Sequence, residues 1–79
     1  MLSIAQKTGL RIKELRKAKK ITQEELALRS NIDRTYINSV ENGKRNISII
    51  NLEKIGLALE IELKDFFTAD CFKKDFILK

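Results

Sequence analysis

The chain has 79 residues, 43% of them hydrophobic, with no proline, three glycines and a formal net charge of +5. That length supports a single domain spanning residues 1–79, near the lower limit for a self-sufficient core, and the composition suits an all-α fold. One cysteine and no histidine exclude an intrachain disulfide and a Cys/His zinc site, so no metal or cofactor is expected and a reducing, cytoplasmic compartment is.

In chain order, Ser3 and Gln6 form a capping box that opens a first helix running to about Lys19. Its apolar face is Ala5, Gly9, Ile12 and Leu15, with Leu10 as a further candidate. Gly9 costs about 1 kcal/mol relative to alanine in a helix interior, which points to close packing or a kink there. Thr22 and Glu25 form a second capping box, opening a helix over about 23–29 with Leu26 and Ala27 on its inner face. Asp33 caps a third helix over about 33–42, with Ile37 and Val40 turned inward and Gly43 ending it in the left-handed region. Ser48 caps a fourth helix burying Leu52, Ile55 and Leu59, and a fifth begins near Glu62 or Leu63 and carries Phe66 and Phe67. Residues 68–79 are too apolar to float free in water. Phe72, Phe76 and either Ile77 or Leu78 need cover, on the domain itself or on a second chain, and a helical tail would put Phe72 and Phe76 on one face.

No apolar run approaches the roughly 18 residues of a membrane span. The opening Met1-Leu2-Ser3-Ile4-Ala5-Gln6-Lys7 lacks the basic-then-apolar order of a signal peptide.

Residues 22–43 read as a helix-turn-helix: two short amphipathic helices separated by a few polar-leaning residues. The outer face of the second carries Arg34, Thr35, Asn38, Ser39 and Asn42. A merely solvated helix is normally laced with lysine and glutamate, whereas these short hydrogen-bonding groups and one guanidinium suit base edges in a major groove. The basic excess lies with this segment: residues 1–45 hold 11 Lys/Arg against 5 Asp/Glu, and residues 46–79 hold 5 against 6. Arg34 can pair with guanine O6 and N7, and Asn38 has the two-sided amide suited to adenine. Thr35 fits a thymine methyl or a phosphate, and an ordinary first-turn threonine is the plainer reading. Tyr36 lies at the edge of the face, divided between phosphate or DNA-dyad contact and partial core packing. Lys44, Arg45, Asn46 and Ser48 form a polar loop at the N-terminus of helix 4, where backbone N–H groups favour a phosphate. Glu24 and Glu25 are first-turn acids that favour the helix dipole, with contact to RNA polymerase as the functional alternative.

With Leu15-Arg16, Ile21-Thr22-Gln23-Glu24-Glu25-Leu26-Ala27, Ile37 to Val40-Glu41-Asn42-Gly43, the Leu52/Ile55/Leu59 helix and Leu63–Phe67, the chain resembles the lambda-repressor-like (Xre/Cro type) helix-turn-helix family over roughly residues 9–67. Within it, Asp33-Arg34-Thr35-Tyr36-Ile37 and Lys44-Arg45-Asn46-Ile47-Ser48 look most like the controller proteins of bacterial restriction–modification systems. The resemblance implies a compact five-helix domain and a small dimeric transcriptional regulator that binds a near-palindromic operator. It places Arg34, Thr35, Asn38 and Arg45 at base-contacting positions. Gln23 matches a glutamine that touches phosphate and braces the recognition helix, and Tyr36, Ser39, Asn42, Lys44, Asn46 and Ser48 join it as phosphate contacts. Arg16 and Glu41 match an ion pair linking helix 1 to the end of helix 3. Ile49, Ile50, Phe67 and Phe72 are the candidates for a homodimer interface. Two departures stand out: Lys20 occupies a usual glycine position, and Glu60 and Glu62 replace the usual glycine and N-cap between helices 4 and 5.

An enzyme is not expected, because there is no histidine, no nucleophile–base constellation and no phosphate-cradling glycine loop. The competing class is an antitoxin-type autoregulator whose apolar tail binds a partner protein.

Overall fold

The computed structural model of the chain describes residues 1–73. Five helices follow one another: α1 (Ile4–Ala18), α2 (Gln23–Ser30), α3 (Arg34–Glu41), α4 (Ile49–Ala58) and α5 (Leu63–Phe66), followed by a single 3-10 turn at Asp70–Phe72. The described part of the tail therefore turns rather than continuing as an α-helix, and the expectations for Phe76, Ile77 and Leu78 lie outside the described residues.

Each long helix starts where a short polar side chain can satisfy an orphan amide. At α1 the capping box is complete: Ser3 Oγ accepts from Gln6 N at 3.1 Å, and Gln6 Oε1 accepts from Ser3 N at 2.8 Å. At α2 only half of the expected box forms. Thr22 Oγ1 accepts from Glu25 N at 3.0 Å, but the Glu25 carboxylate turns to Arg29, 3.0 Å away and one turn along the helix. An oppositely charged side chain at i+4 outcompetes the neutral backbone donor. Asp33 and Ser48 cap α3 and α4 as expected, accepting from Thr35 N and Asn51 N. Helix exits are left-handed at Lys20 (φ 59°), Asn31 (φ 56°), Gly43 (φ 70°) and Glu60 (φ 57°). Lys20 and Glu60 thus hold the conformation that glycine would take without a Cβ penalty.

The buried core gathers Ile12, Leu26, Ile37, Val40, Ile55, Leu59 and Phe66, with at least one residue from every α-helix. Leu10 is not part of it and stays 48% exposed, because two residues of helical rotation carry it about 200° from Ile12. Phe67 also departs from its neighbour: Phe66 is fully buried, whereas Phe67 sits at the end of α5 and remains 41% exposed.

Gly9 resolves in favour of close packing, since α1 continues through it. A Cβ there would collide with the Val40 carbonyl oxygen and lie 3.0 Å from the Glu41 carbonyl oxygen, so α1 and α3 touch backbone to backbone. Beside this contact, Arg16 and Glu41 form the expected ion pair, with Nε–Oε2 at 2.7 Å and Nη2–Oε1 at 3.1 Å. The third arm of the guanidinium, Nη1, donates to the Ile21 carbonyl at 2.8 Å. Both residues are buried, and the hydrogen bonds to Glu41 raise the Arg16 pKa above its ordinary value despite the opposing effect of burial.

Two ties were not anticipated. Arg11 donates to the Phe66 carbonyl at 2.8 Å and the Asp65 carbonyl at 2.9 Å, clamping the end of α5 onto α1. Lys19 pairs with Glu60 at 2.9 Å, joining the exits of α1 and α4, and this hydrogen bond holds the Glu60 carboxyl below the usual carboxylate range.

Two substitutions test this account. Gly9→Ala should destabilise the domain by about 1–3 kcal/mol through overpacking, despite alanine's better helix propensity, and thermal unfolding measures the loss. Lys20→Gly should stabilise it, because relief of about 1–2 kcal/mol of left-handed strain exceeds the 0.5–1 kcal/mol or so of added chain entropy; an unchanged or lowered Tm would contradict this.

Candidate nucleic-acid interface

Helix α3 is anchored by Ile37, Val40 and Glu41, which leaves its opposite side to solvent. That side presents Arg34, Thr35, Asn38 and Asn42 as exposed side chains, with Ser39 half-buried beside them. Arg34 is the first residue of the helix, so its long side chain projects from the leading end. The four expected base-contacting residues comprise three on this face and Arg45 in the loop that follows.

The loop is held against the helix by Tyr36. The Arg45 guanidinium lies over the Tyr36 ring, 4.9 Å from its centroid, in a cation–π arrangement. The Tyr36 hydroxyl accepts from Ser48 N at 3.3 Å, and Lys44 N donates to the Ser39 carbonyl at 3.0 Å. The Tyr36 ring packs against the core, one of the two readings of its position, and its hydroxyl organises the loop. Lys44, Arg45, Asn46 and Ser48 are all exposed along this edge. The Ser48 hydroxyl is occupied in capping α4.

Gln23, the first residue of α2, braces α3 from the side. Its Nε2 donates to Glu41 Oε1 at 3.1 Å, and its Oε1 accepts from Asn38 Nδ2 at 3.1 Å. Asn42 Nδ2 then donates to Asn38 Oδ1 at 3.2 Å. The family resemblance anticipated the bracing role of Gln23 but not its joining of the ion pair to Asn38. On α2, Glu25 is engaged by Arg29, while Glu24 remains exposed.

The four candidates for pairing two copies are less uniform. Ile49 and Ile50 are 76% and 66% exposed at the start of α4. Ile49 and Phe67 line one shallow depression with Ile4, Ala5, Ile47 and Leu52. Phe72 is half-buried and stacks edge-on against Phe67, with centroids 4.9 Å apart, so it buttresses this surface from its own chain. Leu57 on α4 is another exposed apolar residue, 73% accessible, that sequence reasoning passed over. Its signal was available, since two residues of rotation from both Ile55 and Leu59 place it off the buried stripe. Among the described residues, no helix is long and apolar enough to cross a membrane.

Comparison with known proteins places these features in a family. The helix-turn-helix family HTH_3 matches residues 12–66. Control protein C.MunI of a Mycoplasma species is 49% identical over 61 residues, covering 76% of this chain and 82% of that protein. Control protein C.BamHI of Bacillus amyloliquefaciens is 41% identical over 58 residues, 72% of each chain. Among solved structures, the restriction–modification controller protein C.AhdI from Aeromonas hydrophila superposes with a TM-score of 0.77 at 46% identity, covering 80% of this chain and 96% of that one. C.Esp1396I bound to a 25 base pair operator site gives a TM-score of 0.78 at 42% identity, covering 85% and 88%. The capped helix pair, the polar outer face of α3 and these likenesses lead to one conclusion: the chain belongs to the helix-turn-helix family and is a relative of the restriction–modification controller proteins.

Proposed function

We propose that this chain is a sequence-specific transcriptional regulator of the restriction–modification controller type, acting in the cytoplasm as a homodimer on a near-palindromic operator. The observation that carries this reading is the outer face of α3, where Arg34, Thr35, Asn38 and Asn42 stand exposed and uncovered by the domain's own packing. Arg34 at the start of α3 and Arg45 in the loop after it are guanine-directed donors, and Asn38 on the helix between them in sequence is an adenine-directed group. Gln23, Lys44 and Asn46, together with the first-turn amides of α4, supply phosphate contacts on either side.

One such helix reads only a few base pairs. Two copies related by a dyad meet successive major-groove faces about 34–36 Å apart and double the sequence read. The exposed Ile49, Ile50 and Phe67 surface is the one we assign to pairing, because its burial also enlarges a core that is small for a self-sufficient domain. RNA polymerase is the further partner this reading implies, with exposed Glu24 on α2 as its contact. Mass measurement of the protein co-expressed with its neighbouring gene product separates this reading from the antitoxin class: a homodimer supports it, and a tight one-to-one complex with the neighbour opposes it.

Two outcomes follow. Arg34→Ala should leave the fold intact, lose about 1–3 kcal/mol of operator affinity and relax preference at one base pair per half-site, as read by binding to a set of substituted duplexes. Equal weakening on every sequence would make Arg34 a phosphate contact instead. Ile49→Lys, at an exposed position, should keep the melting profile of the monomer while shifting sedimentation toward monomer and weakening operator binding.

A further inference from the structure

Glu41 stands at one end of a row of polar side chains that finishes on the exposed face of α3. Its ionised carboxylate accepts hydrogen bonds and cannot donate them, and Arg16, which only donates, holds it from the far side at 2.7 Å. Gln23 must therefore turn its Nε2 toward Glu41, which leaves its Oε1 pointing at Asn38. An oxygen there accepts only, so Asn38 must answer with Nδ2, and its Oδ1 is left to accept from Asn42 Nδ2. Every amide in the row is thus oriented by the buried charge at its origin.

We infer that Glu41 is a positioning residue for base recognition: acting through Gln23, it determines which way the Asn38 amide faces and hence which base Asn38 reads. This rests on the operator-binding reading above. With two bonds committed inside the protein, Asn38 retains one N–H on the Gln23 side and one oxygen lone pair on the Asn42 side. That donor–acceptor pair complements N7 and N6 of an adenine approached in one sense. An inverted amide presents the same two groups in the opposite order and does not fit that base in the same place. The buried ion pair thereby has a role at the DNA surface in addition to tying α1 to α3.

The test selects binding duplexes from a randomised library with the intact protein, then measures binding to the selected duplex and to every single-base substitution in it. The base pair read by Asn38 is the one whose preference disappears in Asn38→Ala. At that pair the wild type should discriminate by about 5- to 150-fold. Gln23→Met and Glu41→Gln should bring that preference near to equality while leaving intact the preference at the pair read by Arg34. Gln23→Met leaves both partners of the ion pair in place, so it remains informative if Glu41→Gln unfolds, which circular dichroism reports. If the variants weaken binding by the same factor on all four bases and keep the Asn38 preference, or if Asn38→Ala alters no preference, the inference is overturned. If the wild type selects no sequence, the operator-binding reading itself fails.

Discussion

The architecture depends on how closely α1 can approach α3. Gly9 lets the two backbones touch at Val40 and Glu41, and that contact brings Arg16 within reach of the Glu41 carboxylate. A larger residue at position 9 would push the helices apart and lengthen an ion pair whose two charges are already out of water. Buried pairs of this kind are weak evidence for stability in themselves, because desolvation offsets most of the attraction. Here the charge pair does more than join two helices. Arg16 also accounts for the Ile21 carbonyl at the end of the α1–α2 turn, and Glu41 also receives Gln23 at the start of α2. One buried charge pair therefore sets the relative placement of α1, α2 and α3, the three elements from which the candidate interface is built.

The surface produced by this arrangement divides into two chemistries. Around α3 and its following loop it is polar, with arginines at the leading end of the helix and over Tyr36. Around the start of α4 and the end of α5 it is apolar, with Ile49, Ile50 and Phe67 open to solvent. The two regions meet at Ser48, which caps α4 with its side chain and binds Tyr36 with its backbone. The surfaces proposed for groove recognition and for pairing thus draw on neighbouring ends of the same loop.

Much of this was readable from the sequence where the physics is local. Ser3, Asp33 and Ser48 announce helix starts because a cap and its target amide lie within three residues of each other. The inward stripes of α3 and α4 follow from helical periodicity, and the same periodicity turns Leu10 of α1 away from the core. The partial box at Thr22 shows the limit of a local rule when a second local partner, Arg29, competes for the same carboxylate. The Arg11 clamp was not readable, because its acceptors are backbone carbonyls 54 and 55 residues away and any residue type supplies a carbonyl. The row from Glu41 to Asn42 was legible only in parts: resemblance supplied the ion pair and the bracing glutamine, but not the direction of the amides.

The clamp on α5 has a consequence for how the domain comes apart. At four residues, α5 is too short to persist as an isolated helix, and its N-terminal Glu62 makes no side-chain capping bond. It is held by the buried Phe66 ring and by the two carbonyl bonds from Arg11. Such an element belongs to the low end of a protein's hierarchy of local opening, whereas α1, α2 and α3 share a buried charge network and open together. Amide exchange would accordingly be fast through residues 62–67 and slow around Ile12 and Ile37. Releasing α5 withdraws Phe66 from the core and Phe67 from the apolar surface while α3 keeps its seat, so the proposed pairing surface is lost before the recognition helix as the domain is loosened.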